Sequence, residues 1–347
     1  MLDDFNVISQ RDPYHLLEAI AAAPEILTKS LEIQNPEFDQ REIASVVFIG
    51  IGEALTGAEI VTQALDKSLA VPIIYSDGSH IPEFTSANTL AILSGQGNSP
   101  QLLASCYAEL RTRNCQIAIL APDNELLARA ARDHVIAIEL EDVSELCTSS
   151  LQNLVAIVKI FEHFKLINRE YSTKLANIAQ WLSDEADAWH FRTPIHENFA
   201  KQIALVAAGK SAIFYGGPHG ALLARYFRQA WQVIAKNLAF SGQYPSFVNE
   251  ELASWSSHPV DKPYFTADII SDFDDVEVAS MMILSDRLLS GLRPQTLNVH
   301  TDGDDFLAEA AWSIILANYA ATYLAILNNS RPSDRRLVEK YHDALEN

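Results

Sequence analysis

Short apolar runs alternate with stretches of helical periodicity along the first half of the chain. A helical pattern at Tyr14–Leu31 comes first, and helical patterns at Glu53–Leu65 and Pro100–Arg111 separate later apolar runs. The apolar runs predict strands at Ala44–Gly50, Pro72–Tyr75, Thr89–Ser94, Gln116–Ala121 and His134–Leu140. Strands that alternate with helices of this length predict a parallel sheet covered by helices on both faces.

The same alternation begins again after a helical connection. Two helical patterns, Ser149–Phe164 and Tyr171–Trp189, form that connection. Ser211–Gly216 then predicts a strand, and a glycine turn leads into a predicted helix at Ala221–Lys236. The remaining elements are two strands and two helices, predicted at Phe265–Ile270, Thr296–Thr301, Asp304–Leu327 and Ser333–Leu345.

Two segments of the chain repeat each other at a nearly constant offset. SVVFIGIG at Ser45–Gly52 and SAIFYGGP at Ser211–Pro218 carry Ser, Phe and Gly at the same places. SLAV at Ser68–Val71 and NLAF at Asn237–Phe240 follow them at similar distances. A repeated strand, glycine turn and helix indicates two related α/β domains, although matches this short also arise by chance.

The most apolar segment, Leu307–Leu327, has the length of a membrane span. It is interrupted by polar residues at Glu309, Ser313, Asn318 and Thr322. These interruptions disfavour a bilayer span and favour a helix buried on most of its faces.

The charge balance restricts the classes of partner. The chain has 25 Lys and Arg against 45 Asp and Glu, a formal net charge of −20. Such a surface repels phosphate backbones and anionic lipids, so we expect no nucleic-acid or membrane partner. Three cysteines, at 106, 115 and 147, show no disulfide framework and no metal-ligand spacing. With a polar N-terminus unlike a signal peptide, the sequence predicts a cytoplasmic protein.

Two glycine-containing turns follow predicted strands in the first half. One turn has the sequence Ser94, Gly95, Gln96, Gly97, Asn98, Ser99. Small residues, hydroxyls and free amides at a helix start can hold a phosphate without a lysine, but a plain strand-to-helix turn favours the same residue types. The other turn, Gly50-Ile51-Gly52, gives weak support for a dinucleotide site, and tight strand–helix packing is the favoured alternative.

A third candidate segment lies in the second half. Pro245 to Glu251 contains the paired carboxylates Glu250 and Glu251, with Trp255 and His258 beyond them. Carboxylates in a loop can supply a general base, but more often they are solvated surface charge.

Several short motifs occur along the chain in the same order as in a known protein family. They are Met1 to Asp4 with Asp12-Pro13, Gly50-Ile51-Gly52 with Gly57, Pro82-Glu83-Phe84, Ser94 with Gly97-Asn98-Ser99, Pro245 to Trp255, and Tyr323-Leu324-Ala325 with Arg331-Pro332. Together they resemble the bifunctional phosphoglucose/phosphomannose isomerases, a family built from two sugar-isomerase (SIS) domains. The resemblance covers nearly the whole chain. It implies two SIS-type α/β domains, each a mainly parallel sheet flanked by helices, with C-terminal helices, at residues 1–165 and 166–347.

The resemblance also implies an aldose–ketose isomerase. Glu251 falls on the family's catalytic base, which passes a proton between the first two carbons of an opened sugar phosphate through a cis-enediolate. His342, at the place of a family lysine, and His258 are the other catalytic candidates. The implied phosphate-binding residues are Gly50, Gly52, Ser94, Gln96, Gly97, Asn98 and Ser99. The implied partner is a small sugar phosphate, the implied assembly is a homodimer, and no metal or cofactor is indicated.

The chain departs from the family pattern at several site positions. Ala54 replaces a serine and Glu53 a glycine of the first glycine loop. The family arginine that stabilises the enediolate falls near Thr148 in this chain. Asn249-Glu250 replaces the His-Asn that precedes the base. Losing one group that stabilises an anionic intermediate commonly costs ~10²–10³ in rate.

These departures leave two main functions open. The first is a phosphosugar isomerase that uses Glu251, with Arg192, Arg225 or Arg228 in place of the missing cation, although such arginines are more often surface charges. The second is a catalytically impaired sugar-phosphate-binding or regulatory protein, which Ala54 and Thr148 favour. A weaker third is an interaction protein that binds no phosphate.

Overall fold

The computed structural model describes residues 1–65, 68–95, 100–143, 145–257 and 262–346. The chain divides into two compact units. We call Ala23–Ser183 with Gly303–Ala311 the N-unit, and Met1–Ala22, Asp184–Asp302 and Trp312–Asn347 the C-unit. The domain boundary placed at residue 165 stays a prediction.

Helices and strands alternate along most of the chain. The α-helices are α1 Phe5–Arg11, α2 Leu16–Ala22, α3 Glu53–Leu65, α4 Pro100–Thr112, α5 Glu125–Arg132, α6 Leu146–His163, α7 Tyr171–Trp189, α8 Phe199–Ala207, α9 Gly220–Val233, α10 Ser246–Glu250, α11 Val276–Leu288, α12 Phe306–Leu327 and α13 Arg336–Glu346. The strands are β1 Ile33–Gln34, β2 Ser45–Ile49, β3 Ile73–Ser76, β4 Thr89–Ser94, β5 Gln116–Ala121, β6 Ile136–Glu139, β7 Ser211–Gly216, β8 Ala239–Gln243, β9 Tyr264–Ile270 and β10 Leu297–His300. Two 3₁₀ helices lie at Ala23–Thr28 and Leu252–Ser256.

The N-unit contains a sheet with strand order β1-β6-β5-β4-β2-β3. All of its pairs are parallel except β1 with β6. Every residue of β2 and β4 is buried. Burial on both faces explains why these strands appear in the sequence as unbroken apolar runs rather than alternating ones. The α/β fold with parallel sheets is therefore confirmed.

The C-unit contains a parallel sheet with strand order β10-β9-β7-β8. The N-unit strands β5-β4-β2-β3 have the same order. The strands β2 and β7, which carry the repeated SVVFI and SAIFYG sequences, occupy equivalent places. The strand order thus supports the duplication that the repeated sequences indicate.

The first predicted helix is interrupted. The pattern at Tyr14–Leu31 predicts one helix, whereas the structure has α2 followed by a 3₁₀ helix over Ala23–Thr28. Pro24 lies at the change, and proline has no N–H to continue an α-helical hydrogen-bond ladder. The sequence also missed several short elements, among them β1, α5 and β8.

Helix α12 is long and apolar enough to cross a membrane by length and composition, and 94% of its most apolar window is buried inside the protein. Its polar residues Ser313, Asn318 and Thr322 are fully buried. The Asn318 amide donates to the Ile314 carbonyl oxygen at 2.8 Å and to the Tyr226 hydroxyl at 2.9 Å. The predicted buried helix is confirmed, and hydrogen bonds of this kind make buried polar residues tolerable.

A buried lysine attaches the N-terminal segment to the rest of the C-unit. Lys201 on α8 is fully buried. Its ammonium donates to Asp3 Oδ1 at 2.8 Å, to the Phe191 carbonyl at 2.9 Å and to the Thr193 carbonyl at 2.7 Å. Three acceptors match the three N–H donors of an ammonium group, so the charge is compensated without water.

Candidate active site

The two predicted phosphate-binding loops, one after β2 and one after β4, are described in part. Gly50 follows β2 and donates its N–H to the Ser76 carbonyl at 3.0 Å, while Gly52 has φ +59°. Ser94 ends β4 and is buried. The other proposed phosphate ligands, Gln96, Gly97, Asn98 and Ser99, lie outside the described residues, and their role stays a prediction.

The backbone at the start of this loop passes close to β5. A Cβ added to Gly95 would lie 2.7 Å from the Ala121 Cβ, so only glycine fits here without a shift. A cavity of about 200 Å³ opens beside Gly95 and is also lined by Asn124 and Arg129. The loop therefore leaves the carboxyl end of β4 next to a small cavity, at the sheet edge where open α/β folds bind ligands.

Glu251 lies in the C-unit, just after the short helix α10. Its side chain is half-buried, and the Tyr215 hydroxyl on β7 donates to Glu251 Oε2 at 3.0 Å. Trp255 belongs to the same buried apolar cluster as Tyr215. Burial, followed by the neighbouring Glu251 charge, raises the pKa of Tyr215 well above its ordinary value. Tyr215 therefore keeps its proton and remains a donor to the carboxylate.

Space for the Glu251 carboxylate depends on a glycine in the edge strand β8. Gly242 pairs in register with Tyr215. A Cβ added to Gly242 would lie 2.7 Å from Glu251 Oε1 and 2.7 Å from the Tyr215 ring. One carboxylate oxygen thus accepts from Tyr215, and the other lies against the bare backbone of Gly242. This arrangement fixes the orientation of the carboxylate.

Two charged residues, Arg293 and Asp268, are buried next to Tyr215. Arg293 has a side chain only 1% exposed, lies 6.0 Å from the centroid of the Tyr215 ring and pairs with Asp286 at 3.2 Å. Asp268 on β9 is adjacent to Tyr215 in register and is 3% exposed. Burial raises the pKa of Asp268 to about 7, although Arg293 opposes the rise. Asp268 is therefore a carboxyl group that burial favours in its neutral form.

We expect Asp268→Asn to flatten the pH dependence of stability between about pH 4 and pH 7. The unfolded carboxyl ionises near 3.8, whereas the folded protein keeps the proton up to about 7. Asp268 therefore contributes a fall in the free energy of unfolding of up to about 1.4 kcal/mol per pH unit as pH rises through this window. Urea unfolding at several pH values measures the slope. The exposed-residue variant Asp302→Asn should keep the wild-type slope, and an unchanged slope in Asp268→Asn would contradict a neutral buried carboxyl.

The glycine turn of the C-unit already holds an internal carboxylate. Asp274, whose side chain is 5% exposed, accepts from the His219 N–H at 2.7 Å and the Gly220 N–H at 3.1 Å, at the start of α9. A Cβ added to Gly217 would lie 2.4 Å from Asp274 Oδ2. The His219 backbone therefore serves the helix cap, and the turn uses its amides within the protein.

The site candidates are divided between the two units, and the structure does not describe the side chains of two of them. Glu251 belongs to the C-unit, whereas Gly50, Gly52 and Ser94 belong to the N-unit. His258 lies outside the described residues, as does the side chain of His342, whose backbone is part of α13. The catalytic roles of both histidines stay predictions.

The structure shows the location and burial of the residues that replace family site residues and of the arginines named as substitutes. Ala54 is buried in α3 and brings no hydroxyl, and Thr148 is half-buried in the first turn of α6. Among the arginines named as substitutes, Arg192 is exposed and stacks on Phe191 at 5.6 Å, and Arg225 is exposed. Arg228 is half-buried on α9.

Sequence reasoning missed the residues that surround Glu251. Tyr215 stands where the first repeat has Ile49, so a hydroxyl in an otherwise apolar buried strand was an available indication. Gly242 and Arg293 carry no local motif. Both reach the site through the pairing of strands and the return of the chain after α11.

The part of the chain that contains the Glu251 site matches a known protein family. Residues 196–345 match the family described as the bacterial phospho-glucose isomerase C-terminal SIS domain. This part of the chain is a SIS domain. It contains Tyr215, Gly242 and Glu251, so the site described above lies within the SIS domain. The resemblance seen in the sequence is thereby confirmed, and no curated protein sequence matches the chain.

Solved structures share the fold along nearly the full length. A glucose-6-phosphate isomerase-like protein from Thermus thermophilus is 16% identical, with a TM-score of 0.64, covering 99% of this chain and 98% of that one. The C-terminal domain of glucosamine-fructose-6-phosphate aminotransferase from Francisella tularensis is 13% identical, with a TM-score of 0.66, covering 91% and 96%. Glucosamine-6-phosphate deaminase from Thermotoga maritima is 12% identical, with a TM-score of 0.61, covering 94% and 95%. At these identities the likeness shows the SIS fold alone.

Proposed function

We propose that this SIS protein is an aldose–ketose isomerase that converts glucose 6-phosphate or mannose 6-phosphate to fructose 6-phosphate, with Glu251 as the base. The observation that carries the proposal is the Glu251 carboxylate, held at 3.0 Å by the protonated Tyr215 hydroxyl and given room by Gly242. A base that is half-buried and fixed in orientation suits a proton transfer between adjacent carbons.

The chemistry requires one carboxylate to act twice. Glu251 would remove the proton from C2 of the opened aldose, leaving a cis-enediolate, and would return a proton to C1 to form the ketose. Tyr215 donates to one carboxylate oxygen, so the other is left to carry the proton. The phenol also stabilises the ionised carboxylate before the first transfer and after the second.

Binding of the phosphate is proposed for the loop that starts at Ser94. In sequence the loop is rich in small residues, and the N–H groups of Gln101 and Leu102 in the first turn of α4 follow it; such groups at a helix start are donors for an anion. The phosphate lies at the unreactive end of the sugar, so its binding energy would serve to orient the substrate rather than to take part in the proton transfer.

A second function is favoured by a specific observation. Ala54 and Thr148 stand where the family has a serine and an arginine, and Ala54 is buried within α3. A protein that binds sugar phosphates without turning them over would tolerate both changes. Ligand-induced thermal stabilisation without product formation would support this alternative, because only binding to the native state raises its stability.

We expect Glu251→Gln to lower turnover of glucose 6-phosphate or mannose 6-phosphate by ~10²–10⁴, because an amide cannot accept the proton. A coupled assay for fructose 6-phosphate formation measures this. Glu250→Gln is the matched control, since Glu250 is the adjacent exposed carboxylate. Turnover that survives in Glu251→Gln would contradict the mechanism, and an inactive wild-type protein that still binds the sugar phosphates would favour the second function.

We further propose a homodimer in the cytoplasm that acts on a small sugar phosphate, without a nucleic-acid or membrane partner. The acidic balance, with a net charge of −20, supports the absence of anionic polymers and lipids among its partners. Sedimentation of the purified protein tests the dimer directly.

A further inference from the structure

The exposed side of helix α11 is apolar. Its large exposed apolar residues are Val276, Met281, Ile283, Leu284 and Leu288. At 3.6 residues per turn, all of them fall within one half of the helix circumference, which we call the outer face. Val276 is 82% exposed, Ile283 72% and Leu288 58%, so the described part of the chain leaves this face largely open. A contiguous apolar patch of this kind is typical of an interaction surface.

The opposite side of α11 packs in the apolar cluster around Tyr215. Val278 and Met282 are buried and belong to that cluster, and the Tyr215 hydroxyl donates to Glu251. The helix is therefore apolar both on its buried side and on its outer face. A helix that is apolar around most of its circumference is typical of one covered on both sides. We therefore expect the outer face of α11 to be covered in the assembled protein.

The charges at the two ends of the outer face match a second copy of the same helix. Glu277 lies in the first turn of α11 and Arg287 in the last, both are exposed, and neither forms an ion pair within the described residues. In an antiparallel pair of α11 helices, the acidic start of each helix lies beside the basic end of the other. A parallel pair would place like charges together. A two-fold interface uses the same patch on both copies, so the patch has to be complementary to itself, and this charge order meets that condition.

A second copy also meets little electrostatic repulsion at this face. The chain has a net charge of −20, so two copies repel each other wherever acidic surfaces meet. On the outer face Glu277 is balanced by Arg287, and the nearby Asp286 pairs with Arg293 at 3.2 Å. A face that is apolar at its centre and balanced in charge is one where two acidic chains can associate.

We propose that two copies of this chain associate through the outer faces of α11, with the two helices antiparallel about a two-fold axis. The inference rests on the homodimer proposed above and assigns the surface that forms it. Ile283 and Leu284 lie near the middle of the helix, and therefore at the centre of the contact. The contact holds α11 between the partner and the cluster around Tyr215, so dimer formation stabilises the helix that packs against the Glu251 site.

Sedimentation equilibrium of the full chain at micromolar concentrations measures the Kd of the dimer. Ile283→Arg places an unpaired charge at the apolar centre of the contact twice per dimer, and we expect it to raise Kd about tenfold or more. Leu238→Arg is the matched control, because Leu238 is an apolar residue of the C-unit that is 68% exposed and lies outside α11. Its Kd should stay at the wild-type value. A dimer of wild-type strength in Ile283→Arg overturns the proposed surface.

An exchange of charges tests the antiparallel arrangement. Glu277→Arg and Arg287→Glu each place like charges together at both ends of the contact, and each should raise Kd about tenfold. The double variant restores opposite charges in reversed order and should return Kd close to the wild-type value. A double variant as weak as the single ones overturns the arrangement.

The same measurements separate this inference from the proposed function. A monomeric wild-type protein overturns the homodimer and this surface together, whereas a dimer that Ile283→Arg leaves intact overturns this surface alone. Glu251→Gln should remain a dimer, because Glu251 lies outside α11. Failure of the isomerase proposal is seen in turnover, which the Kd of the dimer does not report.

Discussion

Gly242→Ala is expected to lower kcat of the proposed isomerisation about 10²-fold in a protein that remains folded. The added methyl group would lie 2.7 Å from Glu251 Oε1 and 2.7 Å from the Tyr215 ring, closer than packed atoms approach. The carboxylate is at the end of a flexible side chain and lies half-buried, so it moves before the strand does. A displaced carboxylate is misaligned with C1 and C2, and the rate falls even though every catalytic group is present.

Ser241→Ala is the control, because Ser241 is the preceding residue of β8 and its side chain points to the opposite face of the sheet. Steady-state kinetics and thermal unfolding of both variants separate catalysis from folding. A Gly242→Ala protein with wild-type kcat would contradict a role for the orientation of Glu251. The expected outcome is a reduced kcat at a temperature where the variant is folded, together with a lower melting temperature, because the Tyr215 ring is fully buried and is also crowded by the methyl group.

The second large effect is on stability. Lys201→Met should lower the free energy of unfolding by about 3 kcal/mol, because the Phe191 and Thr193 carbonyls lose their donor and each buried acceptor left unpaired costs about 1–3 kcal/mol. At roughly 2–4 °C per kcal/mol the melting temperature drops by about 10 °C. Differential scanning calorimetry measures the shift.

Lys210→Met is the matched control for this change. Lys210 is exposed and donates to the Val206 carbonyl, so its loss should move the melting temperature very little. Equal stabilities of the Lys201→Met protein and the control would mean that the buried ammonium contributes nothing net, as replacement by apolar side chains sometimes shows for buried charges.

The sequence predicted the elements whose residues are buried on all sides. Strands β2 and β4 are largely apolar runs because both of their faces are covered. Such a run can be recognised as a strand from the sequence alone, without knowing which elements pack against it. Strand β8 escaped prediction because it is a sheet edge, with Phe240 exposed and Gly242 weakening the strand pattern. The residues of an edge strand depend on what packs beside them, which a single sequence does not display.

The candidate site was predicted where a motif carries the information and missed where distance along the chain separates the partners. Glu251 was named from its segment, whereas Tyr215 precedes it by 36 residues and Arg293 follows it from the loop after α11. Their meeting results from the order of β7, β8 and β9 in the sheet. The roles of His258 and Gln96 remain predictions that the structure does not address.

The carboxylate of Asp274 occupies backbone amides of the turn after β7, the turn that corresponds in the repeat to Gly50-Ile51-Gly52 after β2. It is tethered to the same chain as the amides of His219 and Gly220, and is therefore present at an effective concentration that a dissolved anion does not reach. Free phosphate would have to displace an internal competitor that never diffuses away. In the C-unit copy of this turn, an anion could therefore bind the His219 and Gly220 amides only by displacing the Asp274 side chain.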